Sequence, residues 1–247
     1  VLVEAIMRQG QTSMSGELTN MANLGKSEQE AVCCTEIVFF NGAERVKNVS
    51  CGDSHSAILT EDGLLYTFGS NQGGKLGIKD VSATSAKAPT LVEDLVFGFD
   101  MSGHQINRIQ EVCCANSFTM AATQDGRVYT WGTNLYGALG LGKETTAVQK
   151  PSLIQSLAQQ QVHIVKISGK FQHSIFLDSN GNVFMSGKGD KGQLGFDLQK
   201  YQYSNLYAPT HIDAFREQIM DVQAGKDFSL LLTSTEEVLA CGLNNHG

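Results

Sequence analysis

The chain has 247 residues, of which 41% are hydrophobic and 17% are charged, a composition typical of a folded globular protein rather than a disordered chain. Its formal net charge is −7 and it contains no Lys/Arg cluster. This charge disfavours nucleic-acid binding, because that binding is driven by neutralisation of phosphates. No apolar run is long enough to span a membrane. Gly is frequent, with 26 residues against three Pro, which predicts many short strands joined by Gly turns.

Six cysteines are present, and none of them forms a C-x-x-C pair. Two pairs are adjacent in sequence, where the geometry for a local disulfide or a zinc clip is poor. We therefore expect reduced, buried cysteines and an intracellular location, cytoplasmic or nuclear. The histidines share no ligand spacing with cysteine or with one another, so neither a metal site nor a cofactor site is expected.

A repeat runs along the chain and is most easily followed from His55, which precedes Gly63, Gly69, Gly74 and the pair Leu76-Gly77. The same spacing starts again at Leu2, Phe118, His173 and Phe228. The glycines at corresponding positions are Gly126, Gly132, Gly137 and Gly140, then Gly181, Gly187, Gly192 and Gly195, then Gly242 and Gly247. We divide this single domain, residues 1–247, into repeat units near 1–25, 26–77, 78–140, 141–195 and 196–247.

Each repeat predicts four short strands. The segments AILTED and LLYTFG are joined at Asp62-Gly63, and later copies use Asp125-Gly126 and Asn180-Gly181, dipeptides that favour tight hairpin turns. Two further strands are expected in the segment VKNVSCG and in the segment after each Pro, with the Pro at the start of its strand. No segment has sustained helical spacing of apolar residues. A four-stranded sheet repeated every fifty residues or so predicts an all-β fold, a β-propeller of four-stranded antiparallel blades.

The stretch CGDSHSAILTEDGLLYTFGSNQGGKLG, echoed by NSFTMAATQDGRVYTWGTNLYGALGLG, resembles the repeat of the regulator-of-chromosome-condensation family. The resemblance covers nearly the whole chain and implies a seven-bladed propeller. Since the chain holds about four and a half to five repeats, we expect it to be part of a larger ring. The exposed strands at the ends of such a piece would need covering.

Two segments imitate nucleotide-binding motifs. Gly69 to Leu76 nearly matches a phosphate-binding loop but has Leu76 in place of Ser or Thr, and Gly187 to Gly192 matches G-x-G-x-x-G. Both are copies of the same repeat segment, and a helix is not expected after them. We interpret these glycines as structural turns.

Two departures from the repeat are candidate partner-binding segments. The connection between Gly77 and Phe118 is longer than its counterparts, and its surplus carries Phe97, Phe99 and Met101. The stretch from Asp197 to Tyr207 carries three further aromatic side chains, those of Tyr201, Tyr203 and Tyr207. For both segments the alternative is that the side chains pack back onto the blade.

The resemblance also implies a second function, because the family's founding member is a guanine-nucleotide exchange factor for the small GTPase Ran. The comparable positions are Asp53 and His55, His173, and Asp227. No repeat carries Asp directly followed by His, and His55 and His173 alternate with Phe, which favours packing in the core. We therefore expect a protein-binding, regulatory propeller without covalent catalysis. By resemblance it is a module of a larger signalling, ciliary or cell-cycle protein, and the alternative is an exchange factor for a Ran- or Rab-like GTPase.

Overall fold

The computed structural model describes residues 44–98, 107–196 and 205–245, and in these ranges the protein is almost entirely β. The described residues contain fifteen strands, which form four antiparallel sheets of consecutive strands. The first sheet contains β1 (Val46–Cys51), β2 (His55–Thr60), β3 (Leu65–Ser70) and β4 (Ser85–Leu91), and the second contains β5 (Ile109–Cys114), β6 (Phe118–Thr123), β7 (Val128–Thr133) and β8 (Ala147–Leu153). The third contains β9 (Ile164–Lys170), β10 (His173–Asp178), β11 (Val183–Lys188) and β12 (Asn205–His211), and the fourth contains β13 (Ile219–Ala224), β14 (Phe228–Thr233) and β15 (Val238–Gly242). The short helix α1 (Gln155–Gln159) connects the second sheet to the third.

The four sheets are arranged as propeller blades. The first strand of each sheet contacts the first strand of the next, so that β1 meets β5, β5 meets β9, and β9 meets β13. This pattern places the first strands around a common axis with the later strands further out. The predicted all-β class and the partial propeller of four-stranded antiparallel blades are confirmed, with three strands described in the fourth blade.

The glycines of the hairpins have the backbone conformation that the sequence predicts. Gly63, Gly126 and Gly181 have φ values of 81°, 83° and 82°, in the left-handed region that favours glycine. In the fourth blade Glu236 stands at this position and adopts a φ of 64°. The turn geometry is therefore retained even where the glycine is replaced.

The prolines do not lie at strand starts, so that prediction is wrong. Pro89, Pro151 and Pro209 each occupy the fifth position of the outermost strand of their blade, next to an irregularity in the strand register. An outermost strand has one unpaired edge, so a residue without an N–H is tolerated there. Pro209 also lies against the preceding blade, because a Cβ added to Gly140 would approach its ring to 3.0 Å.

The boundaries of the sheets differ from those of the repeat units that were drawn to end at the Leu-Gly pairs. Each Pro-containing strand pairs with the hairpin before it, as β4 does with β3, and not with the strands that follow. A blade therefore starts about nine residues before the position of His55 and ends with the Pro strand.

The core is divided among the blade interfaces. One cluster of buried side chains lies between the first and second sheets, another between the second and third, and another between the third and fourth. Phe118 and Met120 on β6 are completely buried against the third sheet. At the corresponding positions of β14, Phe228 is 42% exposed and Leu230 is 37% exposed. The same repeat position is therefore core or surface according to whether another blade covers it.

Candidate protein-interaction face

One face of the propeller carries the loop between the first and second strands of every blade, and we call it the anchor face. Its inner loops are 52–54, 115–117, 171–172 and 225–227. In three of them a backbone N–H donates to the carbonyl of the residue that starts the second strand, over 2.8 to 2.9 Å. These repeated bonds hold the loops in equivalent positions around the axis. The opposite face carries the β2–β3 hairpin and its copies.

The blades are joined by a hydrogen bond that recurs at each described interface. A hydroxyl on the second strand donates to a backbone carbonyl of the preceding blade, just before its Leu-Gly pair. The three bonds run from Thr119 to Lys75 over 2.7 Å, from Ser174 to Ala138 over 2.7 Å, and from Ser229 to Gln193 over 2.8 Å. The hydroxyl that the repeat places after its first residue therefore links neighbouring blades.

A second donor reaches each of these carbonyls from the third strand of the same blade. Trp131 Nε1 donates to the Lys75 carbonyl over 3.0 Å, and the Ser186 hydroxyl lies 3.4 Å from the Ala138 carbonyl. In the fourth blade the weak donor Cys241 Sγ lies 3.6 Å from the Gln193 carbonyl. The interface keeps one geometry while the donor varies among indole, hydroxyl and thiol.

His55 and His173 lie inside these interfaces and not on the surface of the anchor face. Their exposed fractions are 3% and 0%. The Nε2 atom of His55 is 2.8 Å from Thr119 Oγ1, and that of His173 is 2.9 Å from Ser229 Oγ. Since both hydroxyls donate to carbonyls, each imidazole must donate from Nε2. A partner could reach either ring only if neighbouring blades separated.

Burial keeps both imidazoles neutral. Desolvation lowers the pKa of His55 to about 4, assisted by the nearby charge of Lys75. Desolvation also lowers the pKa of His173 to about 4, although the carboxylate of Asp227 acts in the opposite direction. The Nδ1 atoms of both rings are buried without a hydrogen-bond partner among the described residues. Protonation at Nδ1 would place an unpaired charge between blades.

The two acidic candidates of the anchor face have different surroundings. Asp53 is exposed at the tip of the first inner loop. Burial lowers the pKa of Lys75, and the negative charge of Asp53 acts in the opposite direction. Lys75 is buried and donates from Nζ to the Ser54 hydroxyl over 2.6 Å. Asp227 is half-buried in the fourth inner loop. Of the four candidates by family resemblance, only these two carboxylates are accessible from solvent.

Near the axis, side chains on the first strand of one blade accept hydrogen bonds from backbone N–H groups on the first strand of the next blade. These N–H groups have no partner within their own sheet. Ser50 accepts from the Cys114 amide over 2.8 Å, and Ser168 accepts from the Ala224 amide over 2.9 Å. Cys113 Sγ takes the equivalent place with the Gly169 amide, over 3.3 Å. These contacts satisfy the inner edges of strands that would otherwise be unpaired.

Glu111 carries a half-buried carboxyl in the same axial region. Its Oε2 accepts from the Ile167 amide over 3.0 Å, and burial raises its pKa to about 7. The charges of Lys166 and Lys47 lower the pKa, and that of Asp221 raises it. Lys166 is itself paired with Asp221 over 2.8 Å. Sequence inspection missed this group because its burial depends on contact between the second and third blades.

Two of the aromatic candidates, Phe97 and Tyr207, lie within the described residues. Phe97, on the face opposite the anchor face, packs against the first core cluster with its ring 5.8 Å from that of Tyr129. Tyr207 lies on β12 and its hydroxyl donates to Glu144 over 3.3 Å. The remaining candidates, Phe99, Met101, Tyr201 and Tyr203, lie outside the described residues.

Phe171 is an inner-loop residue that the sequence reasoning missed. It follows Lys170 at the end of β9, and its ring lies 5.2 Å from the Nζ of Lys226 in the fourth inner loop. The available signal was the variation at this loop position, where the other blades carry Asp53, Asn116 and Lys226. Loops held by a rigid scaffold vary in sequence and carry binding residues, so this loop position is a candidate for recognition.

The segments that imitate nucleotide-binding motifs are turns. The first contains a single 3-10 turn, Gln72–Gly74, and the next element is β4, so no α-helix follows this segment to bind a phosphate. Within the described ranges no group of three metal-binding side chains occurs, and no helix there is long and apolar enough to cross a membrane. Four described cysteines are free thiols. Of these, Cys114 is buried, Cys113 and Cys241 are half-buried and Cys51 is exposed, so the expectation of buried cysteines is confirmed for Cys114 alone and is wrong for Cys51.

Four sheets around a common axis, joined by bonds that recur with the sequence repeat, define a repeat-built β-propeller. The sequence model of the RCC1-like domain matches residues 5–247, and the chain belongs to this family. The family resemblance of the repeat motifs is thereby confirmed.

Several known proteins contain a similar stretch. The serine/threonine-protein kinase Nek9 of Xenopus laevis is 33% identical over 214 residues, covering 84% of this chain and 21% of the kinase. Protein RCC2 of Homo sapiens is 29% identical, with 82% of this chain and 41% of that protein covered. The E3 ubiquitin-protein ligase HERC2 of Homo sapiens is 31% identical, with coverage of 82% and 4%. The chain thus spans less than half the length of each relative.

Solved structures share the fold. Human WBSCR16 superposes with a TM-score of 0.66 at 20% identity, covering 81% of this chain and 48% of that one. Prp20p from Saccharomyces cerevisiae, whose binding to Gsp1p and histones has been characterised, gives a TM-score of 0.68 at 19% identity and covers 84% and 47%. At such identities the likeness establishes the propeller alone.

Proposed function

We propose that this chain is a protein-interaction propeller and acts as one regulatory module of a larger intracellular protein. Its activity is binding of a protein partner through the anchor face, and it performs no covalent catalysis. The similar stretch in Nek9 and HERC2 forms a small part of much longer proteins, which supports a modular role. The net charge of −7 disfavours nucleic acid as the partner.

The observation that carries this proposal is the contrast between constant and variable positions. The side chains that join the blades recur as Thr119, Ser174 and Ser229. The residues at the tips of the inner loops differ from blade to blade, although the same backbone bonds hold three of the loops. A rigid frame with variable exposed loops is the usual arrangement of a recognition surface.

Loop replacement combined with proximity labelling in cells tests the proposal. In one variant Asp53, Asn116, Phe171 and Lys226 are all changed to Ser, and in the control the exposed hairpin residues Glu61, Gln124 and Ser179 of the opposite face are changed to Ala. We expect the first variant to lose labelled partners and the control to keep them, with both variants showing the wild-type circular dichroism. Loss in the control alone would contradict the use of the anchor face.

Nucleotide exchange on a Ran- or Rab-like GTPase is the second candidate. It is favoured by the accessible carboxylates of Asp53 and Asp227 on one face, within a fold that is shared with Prp20p. Release of a fluorescent GDP analogue from a panel of Ran and Rab proteins tests it. We expect no acceleration at catalytic concentrations of this chain, and acceleration that disappears in an Asp53→Asn variant would make exchange the primary function.

A further inference from the structure

We infer that Lys170, Phe171 and Lys226 form an anchoring site for an acidic segment of a partner protein, an inference that rests on the proposed binding function of the anchor face. We call these residues the Phe171 site. Lys170 ends β9, Phe171 lies in the inner loop of the third blade, and Lys226 lies in that of the fourth. Phe171 is half-buried, and the two lysines are exposed. The Nζ of Lys226 lies 5.2 Å from the centre of the Phe171 ring, a cation–π distance.

The backbone of Phe171 is strained in a way that the fold does not require. Its φ is 46°, in the left-handed region where a bulky residue is unusual. The equivalent residues of the other blades, Asp53, Asn116 and Lys226, have ordinary negative φ values. Strain at one copy of a loop that otherwise forms without it indicates selection for the side chain.

All four described non-glycine residues with positive φ lie in tight turns or after a helix end. Phe171 is the first of the two residues in the β9–β10 hairpin turn, because Lys170 pairs with His173. Glu236 stands where the other hairpins carry glycine, Tyr136 stands where the first blade has Gly73, and Gln161 follows the end of α1. Phe171 also belongs to none of the three core clusters of the described residues. Burial of its ring in the core therefore does not compensate for the strain.

The charges around Phe171 determine the chemistry of the partner. Within the described ranges neither Lys170 nor Lys226 has a carboxylate within 4.0 Å, whereas Lys166 and Lys188 on neighbouring strands are both paired. The Lys226 ammonium lies beside the ring and the exposed Lys170 precedes Phe171 in the chain, while one carboxylate, that of Asp227, lies in the same inner loop as Lys226. Two lysines to one carboxylate make this part of an otherwise acidic chain locally positive, which favours a segment that carries carboxylates on either side of an apolar residue.

An extended peptide with carboxylates on either side of an apolar residue suits this surface. The apolar residue can lie on the half-buried ring of Phe171, and the carboxylates can approach the exposed lysines Lys170 and Lys226.

The test uses fluorescence anisotropy with a labelled peptide of three Glu, one Leu and three Glu, and the same peptide with Gln in place of Glu. We expect the acidic peptide to bind and the Gln peptide to bind at least about tenfold more weakly, with added salt weakening the former. Lys170→Gln with Lys226→Gln should weaken binding about tenfold. The matched control, Lys143→Gln with Lys191→Gln, removes two exposed lysines at the outer rim of the same face and should leave binding within twofold.

Phe171→Gly separates a binding role from a structural one. If Phe171 serves recognition, the variant loses peptide binding by about tenfold while its Tm is unchanged or rises by about 2–4 °C, because glycine accepts the left-handed backbone without strain. A clear fall in Tm would show that the ring is structural and would overturn the inference.

The peptide assay and the proximity-labelling experiment distinguish a failure of the Phe171 site from a failure of the proposed function. Equal binding of the acidic and Gln peptides would overturn the Phe171 site, and the proposed function would still stand if replacing the inner loops abolished partner labelling. If loop replacement also left the labelled partners unchanged, both proposals would be refuted.

Discussion

The hydrogen bonds between blades lead to a quantitative prediction about Ser229 and its counterpart Ser174. Both hydroxyls are completely buried and both donate to a backbone carbonyl of the preceding blade. Only Ser229 also accepts a bond, from Nε2 of His173, because Phe118 stands at the position that corresponds to His173 in the preceding interface. The two serines therefore differ by one imidazole partner.

Replacing each serine by alanine measures how much the imidazole partner contributes to the free energy of unfolding. Ser174→Ala removes one neutral hydrogen bond and should lower the free energy of unfolding by about 1 kcal/mol. Ser229→Ala removes the equivalent bond and also leaves a buried imidazole N–H without an acceptor, which costs about 1–3 kcal/mol more. Each carbonyl keeps a weak second donor, at 3.4 Å for Ala138 and 3.6 Å for Gln193, so the comparison is matched.

A second substitution should rescue the larger loss. His173→Phe in the Ser229→Ala background removes the imidazole N–H that lost its acceptor. It also gives this interface a phenyl ring opposite alanine, as at the preceding interface when Ser174→Ala faces Phe118. The backbone surroundings of the two positions are alike: a Cβ added to Gly187 would lie 2.6 Å from the Cα of His173, and one added to Gly132 would lie 2.6 Å from the Cα of Phe118. We expect the double variant to come within about 1 kcal/mol of Ser174→Ala.

Urea unfolding followed by circular dichroism at pH 7.5 provides the free energies, and unchanged m-values would show that the unfolded states are comparable. The reasoning would be refuted by equal destabilisation in Ser229→Ala and Ser174→Ala, or by a double variant that is less stable than Ser229→Ala alone. Either result would mean that the imidazole of His173 finds another partner or remains hydrated.

Three further outcomes are expected. Gly77→Ala should be markedly less stable in urea than Gly142→Ala, because an added Cβ would lie 2.6 Å from Nε1 of buried Trp131 in the first and meets nothing within 4 Å in the second, while both glycines have positive φ. As the pH falls from about 6.5 to about 4, wild type should lose stability relative to a His55→Phe variant by up to about 1.4 kcal/mol per pH unit, because only the unfolded chain readily takes up that proton; a constant difference across this range would contradict the lowered pKa of His55. The pKa of Glu111 is raised to about 7, so wild type should lose stability as the pH rises from about 4.5 to 7, and a Glu111→Gln variant, assayed by urea unfolding at each pH, should escape that loss.

The strands and the tight hairpins could be predicted because they depend on neighbours in sequence. Asp62-Gly63 and its copies require a left-handed residue in a short turn, and the alternation around them predicts paired strands. The position of Pro89 was predicted wrongly because its tolerance depends on which edge of the sheet it occupies. A sequence pattern indicates a strand but does not show which strand is outermost.

The candidate site was only partly accessible to sequence reasoning. Asp53 was recognised as a residue of the anchor face, but the burial of His55 arises from packing of the second blade on the first. Phe171 was passed over because its significance lies in a strained φ and in the proximity of Lys226, a residue of another blade. Neither property is encoded at short range along the chain.

The amino-acid sequence by itself determined the repeat, the all-β class and the family, because glycines and apolar residues at regular spacing act through the local backbone. The tertiary structure decided which copies of a repeated residue are buried and which are exposed. Phe118 and Phe228 occupy the same repeat position, yet one is core and the other is 42% exposed. The reason is physical: burial is a property of two surfaces in contact, and the second surface belongs to another blade.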